Sequence, residues 1–119
     1  MARTLTINQS FTYADGSTTI TTIPSKSTSI TQTNAQKYEL AKSVTTSEVS
    51  VSPSVTTNGE CVIYNRDSTN YIEVGTTSGD YPIKIKAGRD CRFMLNAGKT
   101  LYLKANTATC QADIIVWAD

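Results

Sequence analysis

Histidine is absent from this chain of 119 residues, and its absence removes most of ordinary acid-base chemistry. Imidazole is the side chain that enzymes most often use as a general base near neutral pH, and it is the commonest metal ligand. Neither a Ser-His-Asp nor a Cys-His catalytic arrangement can be built from these residues. We therefore predict a protein that is not an enzyme, with no catalytic residue, no metal and no cofactor.

An excess of charge of one sign is also lacking, because 11 Lys and Arg against 10 Asp and Glu leave a formal net charge of +1. Nucleic-acid binders usually carry a clustered basic excess that meets phosphates. No apolar run approaches the roughly 18 residues of a membrane span, and the first residues lack the apolar core of a signal peptide. We expect a soluble chain made in a cytosol, with no nucleic-acid partner and no membrane partner.

Cysteine is scarce, and the positions Cys61, Cys91 and Cys110 are widely separated. A disulfide framework would leave one thiol over. A structural zinc site would lack both the paired spacing and the histidines that such sites use. The sequence therefore predicts buried free thiols.

Threonine and serine are abundant, with 20 Thr and 12 Ser in the chain. Thr is β-branched and favours a pleated, half-buried surface, whereas good helix formers are sparse here. Six Tyr, two Phe and one Trp, together with the near-zero net charge, argue against disorder. We predict an all-β protein, either an antiparallel β-sandwich or a jelly-roll-like fold.

The composition changes near residue 57, and the part from 58 to 119 alternates apolar and polar residues between turn signals. Turns with Gly and Asn divide it every 8 to 12 residues, which is typical of sandwiches and barrels. We predict strands at about 60–65, 70–75, 82–87, 90–95, 99–105 and 111–117. The predicted core residues are Ile83, Ile85, Cys91, Phe93, Leu95, Leu101, Leu103, Ile114 and Val116.

The part from 1 to 57 is rich in Thr and Ser and poor in large apolar residues. Asp15-Gly16 suits a type I′ turn and predicts a hairpin of residues 4–13 and 18–23. Further alternation predicts one or two strands ending at Pro53, with a helical turn at 35–42 as the alternative. Because few apolar side chains offset the entropy of ordering, we predict that neighbouring subunits complete residues 1–57, either as an extended arm or by edge pairing, while 58–119 holds the independent core.

Three sets of polar or aromatic residues are candidate sites. The cations Lys84, Lys86, Arg92 and Lys104 share the parity opposite to the core, so they form either a solvated face or a basic strip that docks an acidic surface. The oxygen-rich residues Asn65, Asp67, Ser68, Asn70 and Glu73 form either a turn with Asx-type hydrogen bonds or a calcium loop. The tyrosines Tyr64, Tyr71, Tyr81 and Tyr102 could pack at an interface or stack on a sugar.

The part from 58 to 119 resembles small virion proteins of tailed bacteriophages. The resemblance lies in the runs YNRDSTNYIEVG (64–75), YPIKIKAG (81–88), FMLNAG (93–98) and LYLKA (101–105). In the family, an N-x-D-x-x-N-Y-x-x-V-G element leads to a P-x-K-L-x-A-G-E turn and two closing strands. This chain has Arg89 where the family pattern usually has an acid, and its first 57 residues do not match.

The resemblance implies a virion component assembled in the host cytoplasm. The expected function is a capsid decoration or cement protein that stabilises the head through subunit contacts. Its expected partners are the major capsid protein or other virion proteins, and copies of itself, with a trimer favoured. A tail or head-fibre component is the alternative within the family. A carbohydrate- or receptor-binding β-sandwich is the alternative outside it, and an enzyme that uses carboxylates is a remoter one.

Overall fold

The computed structural model describes residues 3–32, 37–55 and 58–118, and every regular element in them is a β-strand. The chain divides into two compact units, residues 1–35 and 36–119. Within the described ranges, no helix is long and apolar enough to cross a membrane. The strands are β1 (Arg3–Asp15), β2 (Thr18–Gln32), β3 (Lys37–Val44), β4 (Val49–Val51), β5 (Asn58–Asn65), β6 (Ile72–Gly75), β7 (Ile83–Ile85), β8 (Asp90–Met94), β9 (Leu101–Ala105) and β10 (Cys110–Ala118).

The first unit is one long antiparallel hairpin of β1 and β2, which we call the arm. Its turn consists of Gly16 and Ser17, because Asp15 pairs with Thr18. Gly16 has a φ of +60°, while no described residue other than glycine has a positive φ. A positive φ at the first central residue alone is the signature of a type II′ turn, so the type I′ prediction is wrong.

The arm extends beyond the predicted strands, since β2 continues past Pro24 to Gln32. The sequence prediction ends this strand at residue 23, and proline cannot donate to a ladder. In the structure, Pro24 lies at a shift of register, because Phe11 pairs with Ile23 whereas Gln9 pairs with Lys26. A bulge of this kind accommodates proline without ending the strand.

The second unit contains two four-stranded sheets with the orders β3-β10-β5-β8 and β4-β9-β6-β7. Four antiparallel pairs are nested within one another: β3–β10, β4–β9, β5–β8 and β6–β7. The outermost pair joins the first and last strands of the unit, so the eight strands follow the path of one long hairpin that is folded over into two sheets. Cross-pairs β10–β5 and β9–β6 complete the sheets. This strand order is that of an eight-stranded jelly roll, which confirms the predicted fold class.

The core of the jelly roll comes from alternate residues of both sheets. In β10, Ile114 and Val116 are fully buried, whereas Ile115 and Trp117 are half-buried on the opposite side. The predicted core residues are confirmed, with Ile83, Cys91 and Phe93 partly buried against the central cluster. The cluster also contains Cys61 and Cys110, which were predicted as buried thiols, and seven residues that were not predicted: Val44, Val51, Ile63, Ile72, Val74, Ala105 and Ala112.

Several boundaries in the structure differ from the predicted ones. Residues 37–42 lie in β3 rather than in a helical turn, and residues 35 and 36 lie outside the described residues. The compact units divide between residues 35 and 36, whereas composition places the boundary at 57. The reason is that β3 and β4, although they lie in the Ser- and Thr-rich part of the sequence before residue 57, hydrogen-bond to β10 and β9. The strand near 82–87 shortens to β7, and that near 70–75 shortens to β6.

Candidate functional site

The four candidate tyrosines do not form one cluster, because they belong to different surfaces. Tyr64 lies on the outer face of the sheet β3-β10-β5-β8 and is 39% exposed. Tyr102, half-buried, lies on the outer face of the other sheet, opposite Ser50 and Gly75. Tyr71 immediately precedes β6, and Tyr81 lies between β6 and β7. A single binding site made by all four is therefore not present in this fold.

Tyr81 belongs to a group of hydrogen bonds centred on Glu48. The Glu48 carboxylate accepts the Tyr81 hydroxyl at 2.5 Å, the Ser78 hydroxyl at 2.7 Å and the Gly79 N–H at 2.8 Å. The Tyr81 hydroxyl, followed by Ser78 and Gly79, lowers the pKa of Glu48, and Glu48 in turn raises the pKa of Tyr81. These bonds tie the loop before β4 to the β6–β7 turn, so the role they indicate is structural. Sequence reasoning did not single out Glu48.

The oxygen-rich segment after β5 is a hydrogen-bonded turn. Asn65 is fully buried, and its Nδ2 donates to the carbonyls of Asn70 (2.9 Å) and Ile85 (3.1 Å). Its Oδ1 accepts the Asp67 N–H at 3.0 Å, and Asp67 accepts the N–H of Thr69 and of Asn70. These N–H donors lower the pKa of Asp67. The prediction of a turn with Asx-type hydrogen bonds is confirmed, and these oxygens are directed at backbone donors rather than at a common centre.

The outer face of the sheet β4-β9-β6-β7 is polar. Glu73 pairs across the strands with both Lys84 and Lys104, and both lysines are exposed. The Lys84 ammonium also lies 4.2 Å from the centre of the Tyr71 ring. Arg92 lies on the other sheet, so the four candidate cations do not form one strip. This arrangement matches the prediction of a solvated face.

The outer face of the sheet β3-β10-β5-β8 is apolar at its centre, and we call it the β10 face. Its apolar members are Val62, Tyr64, Met94, Ile115 and Trp117. Met94 is 59% exposed, and Val62, Ile115 and Trp117 are half-buried. The alternation of β10 and β5 therefore supplies apolar side chains to both sides of the sheet.

Charged pairs surround the β10 face. On β3, Lys37 contacts Glu39 at 3.0 Å, and at the other edge Arg92 of β8 contacts Glu60 of β5 at 2.8 Å. Arg66, after β5, forms an ion pair with Asp113 of β10. An apolar centre with a charged rim is the usual anatomy of a protein–protein contact.

Sequence reasoning missed the β10 face, although a signal for it exists. The runs Ile114-Ile115-Val116-Trp117 and Cys61-Val62-Ile63-Tyr64 are apolar at both parities. A strand with one solvated face alternates, whereas a strand covered on both faces has a continuous apolar run. In β10 the even positions form the core, and the odd positions, which are also apolar, were not predicted as a second apolar face.

The arm also carries exposed aromatic residues that were not among the predicted site residues. Phe11 is 49% exposed and Tyr13 is 65% exposed. Leu5 and Ile7 are half-buried, and Leu5 pairs across the strands with Ile30. Two-stranded hairpins are marginally stable by themselves in water, and exposed aromatic side chains are typical of surfaces that bind another protein.

The three cysteines of the jelly roll have thiols with raised pKa values. Burial raises the pKa of the Cys61 thiol to about 12 and also raises the pKa values of Cys91 and Cys110. All three are free cysteines; Cys61 and Cys110 are buried, as predicted, whereas Cys91, which was also predicted to be buried, is only half-buried. In the described part of the chain, no three metal-ligating side chains come together. A neutral buried thiol is a weak nucleophile, so these groups contribute to packing.

Comparison with known proteins adds no family to this picture. No protein-family model, no curated protein and no solved structure matches the chain.

Proposed function

We propose that this chain is a virion structural protein, of the capsid decoration or cement type, that is present in many copies and stabilises a phage head by contacts between subunits. The observation that carries the proposal is the arm, which is a 13-residue strand paired with a 15-residue strand. Among the described residues, its sheet contains these two strands alone. Such a ribbon gains its stability from what it binds.

The arm presents two means of attachment. Each of its strands has one edge that no other described strand joins in that sheet, so the proposal uses backbone donors and acceptors there for pairing with a further strand. Phe11 and Tyr13 add exposed aromatic area, which is the main source of energy at protein contacts. The exposed polar residues around them, such as Thr4, Thr6 and Asn8, keep the free arm soluble.

In this proposal the jelly roll is the folded body of each subunit, and the arm attaches that subunit to its partner. The buried cluster of the jelly roll is continuous between the two sheets, and its loops are tied by side-chain bonds such as those of Glu48 and Asn65. The fold is one that viral capsid proteins use, and the resemblance of residues 58–119 to small phage virion proteins points the same way. In this proposal the partners are the major capsid protein or another virion protein, and further copies of the chain, with three copies favoured.

The chain acts without catalysis in this proposal. The absence of histidine, the neutral thiols and the carboxylates held by hydrogen bonds all support a structural role. A tail or head-fibre component would use the same arm. Sugar binding has less support, because Tyr71 is covered on one face by Lys84 and the hydroxyl of Tyr81 donates to Glu48.

Binding to phage heads tests the proposal. The purified chain is mixed with heads of its phage that lack it, and the bound fraction is measured by sedimentation. We expect Phe11→Ser with Tyr13→Ser to weaken binding by about tenfold or more, since exposed aromatic residues anchor such contacts. Tyr102→Ser, on the polar outer face of the jelly roll, is the matched control and should bind as the unchanged chain does.

Two results would contradict the proposal. One is that the unchanged chain fails to bind heads and does not raise their resistance to heat. The other is that the arm variant and the control bind equally well. Binding to an array of glycans that is lost with Tyr64→Ala or Tyr102→Ala would favour the carbohydrate-binding alternative instead.

A further inference from the structure

We propose that the β10 face is a two-fold contact between the jelly rolls of two copies of this chain. The proposal does not depend on the proposed function, because it is argued only from residues of the sheet β3-β10-β5-β8. It rests on the apolar centre of the face, on the order of charges across it and on its area.

The apolar centre lies on the two middle strands of the sheet. Ile115 of β10 pairs with Val62 of β5, and both are half-buried. Trp117 lies two residues further along β10, and Met94, 59% exposed, lies on β8. Burying such side chains is favourable at about 25 cal/mol per Å² of apolar surface. The corresponding positions on the other sheet's outer face are Glu73, Lys84 and Lys104, so the two outer faces differ in kind.

The charges across the sheet make the β10 face complementary to itself. One row of cross-strand partners reads Glu39, Ile115, Val62 and Arg92 from the β3 edge to the β8 edge. A two-fold axis parallel to the strands, between β10 and β5, brings β3 of one copy over β8 of the other at the same level. Glu39 then meets Arg92 of the second copy, and Ile115 meets Val62. Opposite charges face each other twice, and the apolar side chains meet between them.

The next row agrees with this arrangement. It reads Ala41, Asp113, Tyr64 and Asp90 across the same four strands. The same axis places Ala41, a small exposed residue, opposite Asp90 of the second copy. No two like charges oppose each other in either row. Sheets that pack face to face keep their strands within about 30° of each other, which this axis satisfies.

The area of the face is sufficient for a weak dimer. Four strands spaced by about 4.8 Å and about 25 Å of strand length give roughly 500 Å² per copy, or about 1,000 Å² for the pair. Specific contacts begin near about 1,000 Å² of total buried surface, so the predicted dimer is reversible, with a Kd in the micromolar range. A reversible contact is the kind that can form between copies held close together by another attachment.

Sedimentation equilibrium of the full chain tests the contact, with Phe11→Ser and Tyr13→Ser present in every sample to weaken association through the arm. We expect a monomer–dimer equilibrium. Val62→Glu and, separately, Ile115→Lys should each weaken the dimer by about tenfold or more, because a charge is placed in the apolar centre. The matched control is Ser50→Glu, which adds the same charge to an exposed position on the other sheet.

Trp117 provides a second readout, because it is the single tryptophan of the chain and lies on the β10 face. On dilution, its emission should move to longer wavelength with the same midpoint as the change in mass. In Val62→Glu the emission should already be at longer wavelength at high concentration. Thermal melting of each variant confirms folding, which both substitutions permit because Val62 and Ile115 are only half-buried.

Substitutions of Ala41 test the two-fold symmetry of the contact. Ala41→Lys should tighten the dimer by about fivefold, because two new cations face the Asp90 carboxylates, and Ala41→Glu should weaken it by a similar factor. A chain that stays monomeric up to millimolar concentration overturns the proposal. So does a dimer that Val62→Glu and Ile115→Lys leave unchanged, and equal effects of the two Ala41 variants overturn the two-fold arrangement.

Discussion

Asn65 shows how one buried polar residue organises a loop. Its amide donates two hydrogen bonds and accepts one, so it joins the end of β5 to the Asp67 turn and to β7. A buried amide without partners lowers stability. Because this amide makes three hydrogen bonds, an apolar side chain at position 65 could not replace it.

Asn65→Ala should lower the free energy of unfolding by about 2–3 kcal/mol, because it removes three hydrogen bonds and leaves the Ile85 carbonyl buried without its donor. Urea denaturation followed by the fluorescence of Trp117 measures the change. Thr76→Ala, at an exposed position, should change stability by less than about 0.5 kcal/mol. Equal effects of the two substitutions would show that the Asn65 network is not structural.

Cys61 predicts how stability depends on pH at the alkaline end. Desolvation by burial raises its pKa from 9.0 to about 12, so the folded chain retains a proton that the unfolded chain releases. The stability contributed by the neutral thiol is complete below pH 9.0 and is lost as the pH rises toward about 12.

The Cys61→Ala variant should therefore lose less stability between roughly pH 8 and roughly pH 10 than the unchanged chain loses, although its cavity lowers stability at both values. Urea denaturation under reducing conditions at the two pH values measures this difference. A thiol reagent should also leave Cys61 unmodified in the folded chain at neutral pH. Equal pH dependence in the two proteins would show that Cys61 titrates normally.

Among the elements, the β6–β7 turn depends on close approach of the backbone. Gly75 ends β6, and a Cβ atom built there would lie 1.9 Å from the Asp80 carbonyl oxygen and 3.1 Å from Cδ of Pro82. The turn also carries Ser78, Gly79 and Tyr81, which bind Glu48. The local requirement for glycine is therefore one of space, because its φ is not in the left-handed region.

Gly75→Ala should lower the free energy of unfolding by about 2 kcal/mol or more, since the nearest atoms belong to the Asp80 backbone and cannot move independently. Gly88→Ala is the comparison, because Gly88 has a φ of +70° and open space around it. Its expected cost is only about 1 kcal/mol of backbone strain. Thermal or urea denaturation ranks the two variants, and the reverse order would contradict the close approach at Gly75.

For the whole molecule, the sheet order predicts which part of the chain folds alone. β3 and β4 supply an edge strand to each sheet and contribute the buried residues Val44 and Val51. We expect residues 36–119 to melt cooperatively without the arm, and residues 58–119 to fail to do so. The composition predicts instead that 58–119 is independent, so circular dichroism melting of the two shortened chains distinguishes these predictions. Cooperative melting of 58–119 would show that β3 and β4 are dispensable.

Much of the jelly roll can be predicted from the sequence because each strand has its own local signal. Alternation in 82–118 and the glycine turns identify the strands and the core residues such as Leu101, Leu103 and Ile114. The contacts within the candidate sites were harder to predict from the sequence. Glu48 meets Tyr81 from 33 positions away in the chain, and no local pattern encodes that contact.

The sequence by itself determines that the chain is all-β, that imidazole chemistry is impossible and that the arm has few apolar residues with which to stabilise itself. These properties follow from composition and from a period of two residues, and both are local. Tertiary structure alone decides that β3 and β4 join the jelly roll, that Pro24 lies at a bulge, and that Ile115 and Val62 meet on one outer face. These features depend on which strands are neighbours, and that choice minimises exposed apolar surface and unpaired backbone over the whole fold.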